Sequence, residues 1–457
     1  MHKYLFCKYS FLALLSLASM QVWGATYTVN STLDDGSTGT LRWAIGQANS
    51  NPGADIIDFN IPGTGPHTIT LASGLPFITG DLTIDGSTQA GAVIGTVSTA
   101  GVIGFDLQII IDCINVTTSN PFTHSGNITV THNAINYVNF ARGGGAILLA
   151  QSGSSLIVNN CIFHLDNTGS NAVGGCNDCD AVNVFPGAGQ SLSANNNAAG
   201  QHRWAFRVGG PGVTNTITNN WMGATGDLSQ NLQLFEGIAI RNSANSTITG
   251  NIILNATGNG IGINSDNQTG PVQYTIQNNW IAGGADGIEI FEGSGSASGL
   301  FSINISNNIL GLDAAGSSVY GTNANDGIYV RASSSSPSLK PTDLDITDNL
   351  VGGFNSPGRH GVRAEYLQNS SNTIDITLNY IGTNASNSVL SNTTGVRLNR
   401  NNGLITVSDN FISENTVYGL YNIIEDGNYT ISSNTLNNNS NTSINNIVQG
   451  SGTPNIV

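Results

Sequence analysis

Three residues with the chemistry of an acid/base site, Asp286, Asp326 and His360, hold the same place in three separate phrases of the sequence. Each stands immediately before a Gly followed by Ile or Val, in DGIEI at 286–290, DGIYV at 326–330 and HGVRA at 360–364. If these phrases stack as neighbouring strands, Asp286 and Asp326 lie at the strand spacing of about 4.8 Å. Two carboxylates so close do not both ionise freely. Either one pKa rises, which makes an acid and a base of the pair, or a cation such as Ca²⁺ sits between them. Retaining glycosidases hold their two carboxyls about 5–5.5 Å apart, so glycosidic cleavage is one chemistry open to the pair. Down the chain the full column reads Glu236, Asn259, Asp286, Asp326, His360, Thr394 and Tyr418, and its chemistry changes at each step. Asp-Gly and Asn-Gly are also ordinary turn dipeptides.

A second set follows the Gly of the same phrases. Arg241, Glu289, Phe291, Tyr329, Arg331, Arg363, Glu365, Arg397 and Tyr421 point outward if these strands alternate with period 2, with Glu292 and Arg400 beside them. Six of the ten Arg residues fall between Arg241 and Arg400, in a chain that is only 9 % charged. A guanidinium binds carboxylates in pairs and aromatic rings stack on sugar faces, so this stripe suits an extended acidic or neutral glycan. The alternative is a solvated face that keeps the molecule soluble.

Both sets depend on strands that recur. One phrase can be aligned on Asn133, Asn160, Asn220, Asn251, Asn279, Asn308, Asn349, Asn379, Asn410 and Asn434, as in TITNNWMG, TIQNNWIA and TVSDNFIS. Most steps are 24 to 31 residues; the step of 60 reads as a skipped, degenerate coil and the step of 41 as an inserted loop. Each repeat holds two or three strands of three to five residues and no helical period. One such coil cannot bury its own apolar face, whereas a stack can. Successive turns then pair as parallel strands, whose crossovers are right-handed. The expected fold is all-β, a right-handed parallel β-helix of roughly 12–14 coils. The recurrent Asn suits a corner, because Asn tolerates the left-handed region and its amide can bond the Asn of the next coil. Composition agrees, with 57 Gly in 457 residues and only 9 % charged, against the quarter or so of charged residues usual in globular domains.

Residues 1–24 read as a secretory signal, with Lys3 and Lys8, an apolar run from Phe11 to Met20, and small residues near a cut after Gly24. The mature protein is therefore expected to be secreted, extracellular or periplasmic, with no transmembrane segment. Residues 25–100 form a cap and first coils. There LRWAIGQANSN places Leu41, Ala44, Ile45 and Ala48 on one face of a helix. Residues 101–457 continue the repeats as part of the same domain.

The segment GTLRWAIGQANSNPGADIIDFNI, followed by TITLASGLPFITGDLTIDG, resembles the N-terminal part of large bacterial secreted or surface β-helix proteins of the pectin-lyase-like superfamily. Their coils often read N-x-I-G-T, a Gly-containing excursion, then G-[IV]. Asn379-Tyr380-Ile381-Gly382-Thr383 with Gly395-Val396 is close to that pattern, and Asn308-Ile309-Leu310-Gly311 with Gly327-Ile328 is looser. The resemblance implies the fold over most of the mature chain. For function it spans lyases, hydrolases, adhesins and proteins of no known activity. A superfamily lyase would add carboxylate-bound Ca²⁺ and an Arg base, a role for Arg331 or Arg363; the binding reading needs no cofactor. The Asn-Thr-Asp and Gly-His-Gly signatures of pectin hydrolases do not occur.

Cys113, Cys161, Cys176 and Cys179 remain after processing, and an even number in an exported protein favours disulfides. Cys176 and Cys179 can close on each other, or Cys113 can meet Cys161 if their coils stack. A zinc site on the CxxC lacks a second CxxC or a His pair, so no metal is expected there. The excess of 28 Asp and Glu over 13 Lys and Arg argues against nucleic acid as a partner. A third outward face, with Thr216/Thr218, Thr247/Thr249 and Thr275/Gln277 among its pairs, resembles an ice-binding ladder but is interrupted by Asp and Gln. The preferred expectation is non-catalytic binding of polysaccharide or cell-surface glycan along the Arg/Tyr/Glu stripe. The second is a lyase or glycoside hydrolase centred on Asp286, Asp326 and His360, with the excursion at 331–345 as its wall, and ice binding is third.

Overall fold

The computed structural model describes residues 23–117, 120–136, 145–149, 153–174, 178–184, 188–242, 245–266, 270–292, 300–334, 341–448 and 453–456. The expected signal segment lies outside them but for its last two residues.

Short alternating strands joined by tight corners leave the chain little choice but to wind. In one coil, Asn245–Thr249 runs along a first sheet, Gly250 and Asn251 turn the chain, Ile252–Leu254 joins a second sheet and Ile261–Asn264 a third. The next coil begins at Val272–Gln277, in register, with Thr247 beside Thr275 and Ile248 beside Ile276. Repeated along the molecule, this gives a parallel β-helix, as the repeat predicts. Among the described residues the first sheet has 15 strands and the other two have 12 each. The antiparallel pair Thr96–Ser98 and Gly101–Ile103 stands apart as a hairpin. The long step of 60 does hide a coil, built from Ser191–Asn195, Ala198–Ala199 and Trp204–Gly209. The step of 41 contains an excursion closed by a bridge from Leu312 to Val319.

Inward side chains of all three sheets form one continuous core from Val29 to Ile431. Each buried Ile, Leu or Val contributes about 1.5–3 kcal/mol, so a coil is stable only between neighbours that cover it. At the N-terminal end the α-helix Leu41–Ser50 lays Leu41, Ala44, Ile45 and Ala48 onto this core, and Thr40 caps it by accepting from the Trp43 N–H. A second apolar layer covers the outer face of the second sheet, where the hairpin residue Val102 joins a cluster that includes Ala134, Ile162, Trp221 and Trp280.

The corners need one correction. The aligned Asn is not the residue in the left-handed region; its predecessor is, at Asn219, Asn278, Asn307, Asp348, Leu378 and Asp409, with φ of 53° to 59°. The aligned residue instead builds a buried ladder. Asn251 donates its amide to Asn279 Oδ1 at 3.0 Å and its backbone N–H to the same oxygen at 2.9 Å. Its amide also reaches Ile217 O in the preceding coil at 2.8 Å. The pattern repeats from Asn197 to Asn434. Asn160 is itself left-handed, and Cys161 occupies its rung, so the alignment is one residue out at that coil.

Candidate functional site

The third sheet carries both residue sets, and the strand register decides which of them meet. Ile288 pairs Ile328, and Ile328 pairs Val362, so Asp286, Asp326 and His360 are axial neighbours as expected. Their carboxyls do not face each other across a gap. The Asp326 backbone N–H donates to Asp286 Oδ1 at 2.8 Å, and the Asn325 amide donates to Oδ2 at 3.1 Å. Asp326 Oδ1 accepts from the His360 backbone N–H at 2.8 Å and lies 2.9 Å from His360 Nδ1. Arg363 donates to Asp326 Oδ2 at 3.1 Å. The carboxyls thus act as rungs between coils, much as the Asn ladder does. Asp326 and His360 are only 1 % and 3 % exposed, so a substrate does not reach them.

These surroundings separate the two acids. Burial pushes Asp286 up to about 6, with the nearby Asp326 and Glu289 charges adding to it. Burial also opposes ionisation of Asp326, but His360 and Arg363 overcome it and hold the carboxyl below its usual range. Desolvation lowers His360, against the opposing pull of Asp326.

The outward stripe is assembled as expected in two further columns. One runs Glu289, Tyr329, Arg363, Arg397, Tyr421, and the other Arg241, Asn264, Phe291, Arg331, Glu365. Its guanidiniums are not free. Arg241 pairs Glu236 at 2.8 Å, Arg331 pairs Glu289 at 2.9 Å and Arg363 pairs Glu365 at 2.7 Å. Arg397 Nε lies 3.1 Å from Glu365 Oε1, an ion contact without hydrogen-bond geometry. Arg331 also covers the Phe291 ring at 4.6 Å, and Arg363 the Tyr329 ring at 4.3 Å. Glu365 is the exception to outward exposure. It takes contacts from Arg363, Arg397, Asn399 and the Tyr329 hydroxyl and is 2 % exposed. It holds the stripe together rather than touching a ligand. Glu292 is likewise buried.

Sequence reasoning missed the upper end of this face. Asp180 and Trp204 continue the first column above Glu236. Trp204 donates its indole N–H to Glu236 Oε2 at 2.8 Å, and Arg203 lies over its ring at 3.9 Å. Their strands lack the Gly-Ile phrase that marked the others; alternation in DAVNV at 180–184 was the available signal.

Between Glu236 and Glu289 the stripe column drops to Ala239 and Gly262, and the face opens into a depression of about 230 Å³. Asn259 bridges the two acids, donating to Glu289 Oε2 at 2.8 Å and, more weakly, to Glu236 Oε1 at 3.4 Å. Arg241, Phe291 and Arg331 stand on the other side.

The remaining expectations resolve individually. Cys113 and Cys161 are free, buried thiols, so they do not pair, and burial pushes the Cys161 thiol up to about 12. Cys179 is in a disulfide; Cys176 lies outside the described residues. Of the wall at 331–345, residues 335–340 lie outside the described residues, and Thr342–Thr347 is an ordinary first-sheet strand. The Thr face forms real columns, with Thr216 beside Thr247 and Thr247 beside Thr275. Among the described residues no three His, Cys, Asp or Glu converge as metal ligands, and no helix is long and apolar enough to cross a membrane.

No protein-family model and no curated protein matches the chain. Solved structures similar to it include a mutant of the periplasmic alginate epimerase AlgG, at 12 % identity and a TM-score of 0.37, covering 86 % of this chain and 79 % of that one. The Dettilon tailspike protein is similar at 13 % identity and 0.37, over 92 % of this chain and 68 % of that one. The Agl-KA catalytic domain follows at 13 % and 0.30, over 94 % and 68 %.

Proposed function

We propose that this is an exported β-helix protein that binds an extended, uncharged glycan along the outer face of its third sheet and does not cleave it. The observation that carries the reading is that the stripe arginines already neutralise Glu236, Glu289, Asp326 and Glu365. A polyanion would have to displace these partners, whereas sugar hydroxyls can bond to charged pairs as they stand. Half-buried Phe291, Tyr329 and Tyr421 supply apolar surface for the ring faces.

The test is co-sedimentation of the mature protein with neutral and acidic polysaccharides, with and without Ca²⁺, while reducing ends and unsaturated products are followed in the same tubes. Retention on a neutral polymer without cleavage, weakened in Phe291→Ala and Arg331→Ala, is the expected result. A second reading, a hydrolase or lyase, would turn on Asp286, the less covered of the two carboxyls, whose raised pKa suits a general acid. Product release that disappears in Asp286→Asn would establish it in place of the first.

A further inference from the structure

The depression between Glu236 and Glu289 has a floor that exists only because residue 262 is Gly. A Cβ built there would lie 3.0 Å from Glu236 Oε1 and 3.1 Å from the Asn259 amide nitrogen. No left-handed backbone demands Gly at this position, so its use is the space it leaves. Into that space Glu236 and Asn259 lean across from the neighbouring column. From the other side Arg241 donates to Gly262 O at 2.9 Å and to Glu236 Oε2 at 2.8 Å. Glu236 is 6 % exposed, held by three donors that fix its orientation. Its Oε1 takes only the long Asn259 contact, which leaves acceptor capacity on an oriented, buried carboxylate.

We propose that this notch is the anchoring subsite of the face, taking the hydroxyl-bearing edge of one uncharged sugar residue and setting the register of the polymer on the rod. The inference rests on the glycan-binding reading above and adds the place and the charge selectivity. At about 230 Å³ the notch is smaller than the roughly 300–1,000 Å³ of a pocket that encloses a whole ligand, which fits one edge of a ring. Two carboxylates on opposite sides of the floor accept hydroxyl protons, whereas a uronate would have to displace them from Arg241 and Arg331. Phe291 stands beside them as an apolar wall.

Affinity electrophoresis of the mature protein through laminarin, dextran, galactomannan and polygalacturonate tests this. Wild type is expected to be retarded by a neutral polymer and not by polygalacturonate. Gly262→Ala weakens that retardation about tenfold with an unchanged melting temperature. Asn259→Ala, which unties the floor without adding an atom near the backbone, does the same if Gly262→Ala fails to fold. Glu289→Gln removes a floor charge and releases Arg331, so polygalacturonate now retards the protein. Wild-type retardation that neither Gly262→Ala nor Asn259→Ala changes would overturn the notch and leave the stripe standing. A wild type retarded by none of the neutral polymers overturns both.

Discussion

A carboxyl buried against a parallel sheet titrates according to what adjacent coils donate to it. Asp180 has least help. Burial pushes it up to about 8, against the opposing pull of Arg207 and Asn183. Its folded pKa lies above the unfolded value of about 3.9, so the folded state holds the proton longer. Stability is then full below pH 4 and falls by up to about 1.4 kcal/mol per unit as pH rises towards 8. Asp180→Asn should flatten that fall in thermal melts between pH 5 and 8; an unchanged slope would refute the assignment. Glu365 is the opposite case, held below its usual range by Arg363 despite burial. Truncation to Ala leaves Arg363 and Arg397 without their shared acceptor and should cost about 3–5 kcal/mol in urea unfolding. The adjacency of Asp286, Asp326 and His360 was legible from their common place before Gly. Their burial was not, because Asn325, Arg363 and backbone amides of neighbouring coils do the covering, and period 2 says only which way a side chain starts out.

At the scale of the element, the corner explains why Asn recurs. Each rung of the buried ladder donates backward to a strand carbonyl and forward to the next Asn, so losing one strands groups in two coils. Asn308→Ala should destabilise by about 1–3 kcal/mol in urea unfolding, and Asn434→Ala, at the partly exposed end of the ladder, by less. Leu378 is left-handed, at φ 59°, and 52 % exposed. Leu378→Asn should therefore stabilise by about 1 kcal/mol, seen as a higher melting temperature. The strands and the helix face were readable because their periods are short and local; the coil at Ser191–Asn195 was signalled only by the doubled step of 60, which left its register open. The one-residue slip at Asn160 arose because the Asn159-Asn160 pair mimics Asn219-Asn220, whereas pairing of Asn159 with Thr131 puts Asn160 at the corner and Cys161 on the rung.

For the whole molecule, the end matters as much as the repeat. The first strand, Thr26–Val29, pairs on one side with Ala54–Phe59 and has the helix packed beside it. Ile45→Asp should dislodge the helix, expose the edge and cause self-association detectable by light scattering. The second apolar layer outside the second sheet was invisible to pattern reading, since Val102 and its partners at Ile162 and Trp221 are far apart in the chain. The long hydrogen-bonded sheets also determine how the rod bears load. Their interstrand bonds run between coils, along the axis, so tension applied end to end strains one coil's bonds at a time instead of shearing a whole sheet. Pulled in this direction, the protein should yield at low force in a regular series of steps. Most steps release one coil of 24 to 31 residues, or about 90 Å of chain, so the rod peels like a ribbon from its spool.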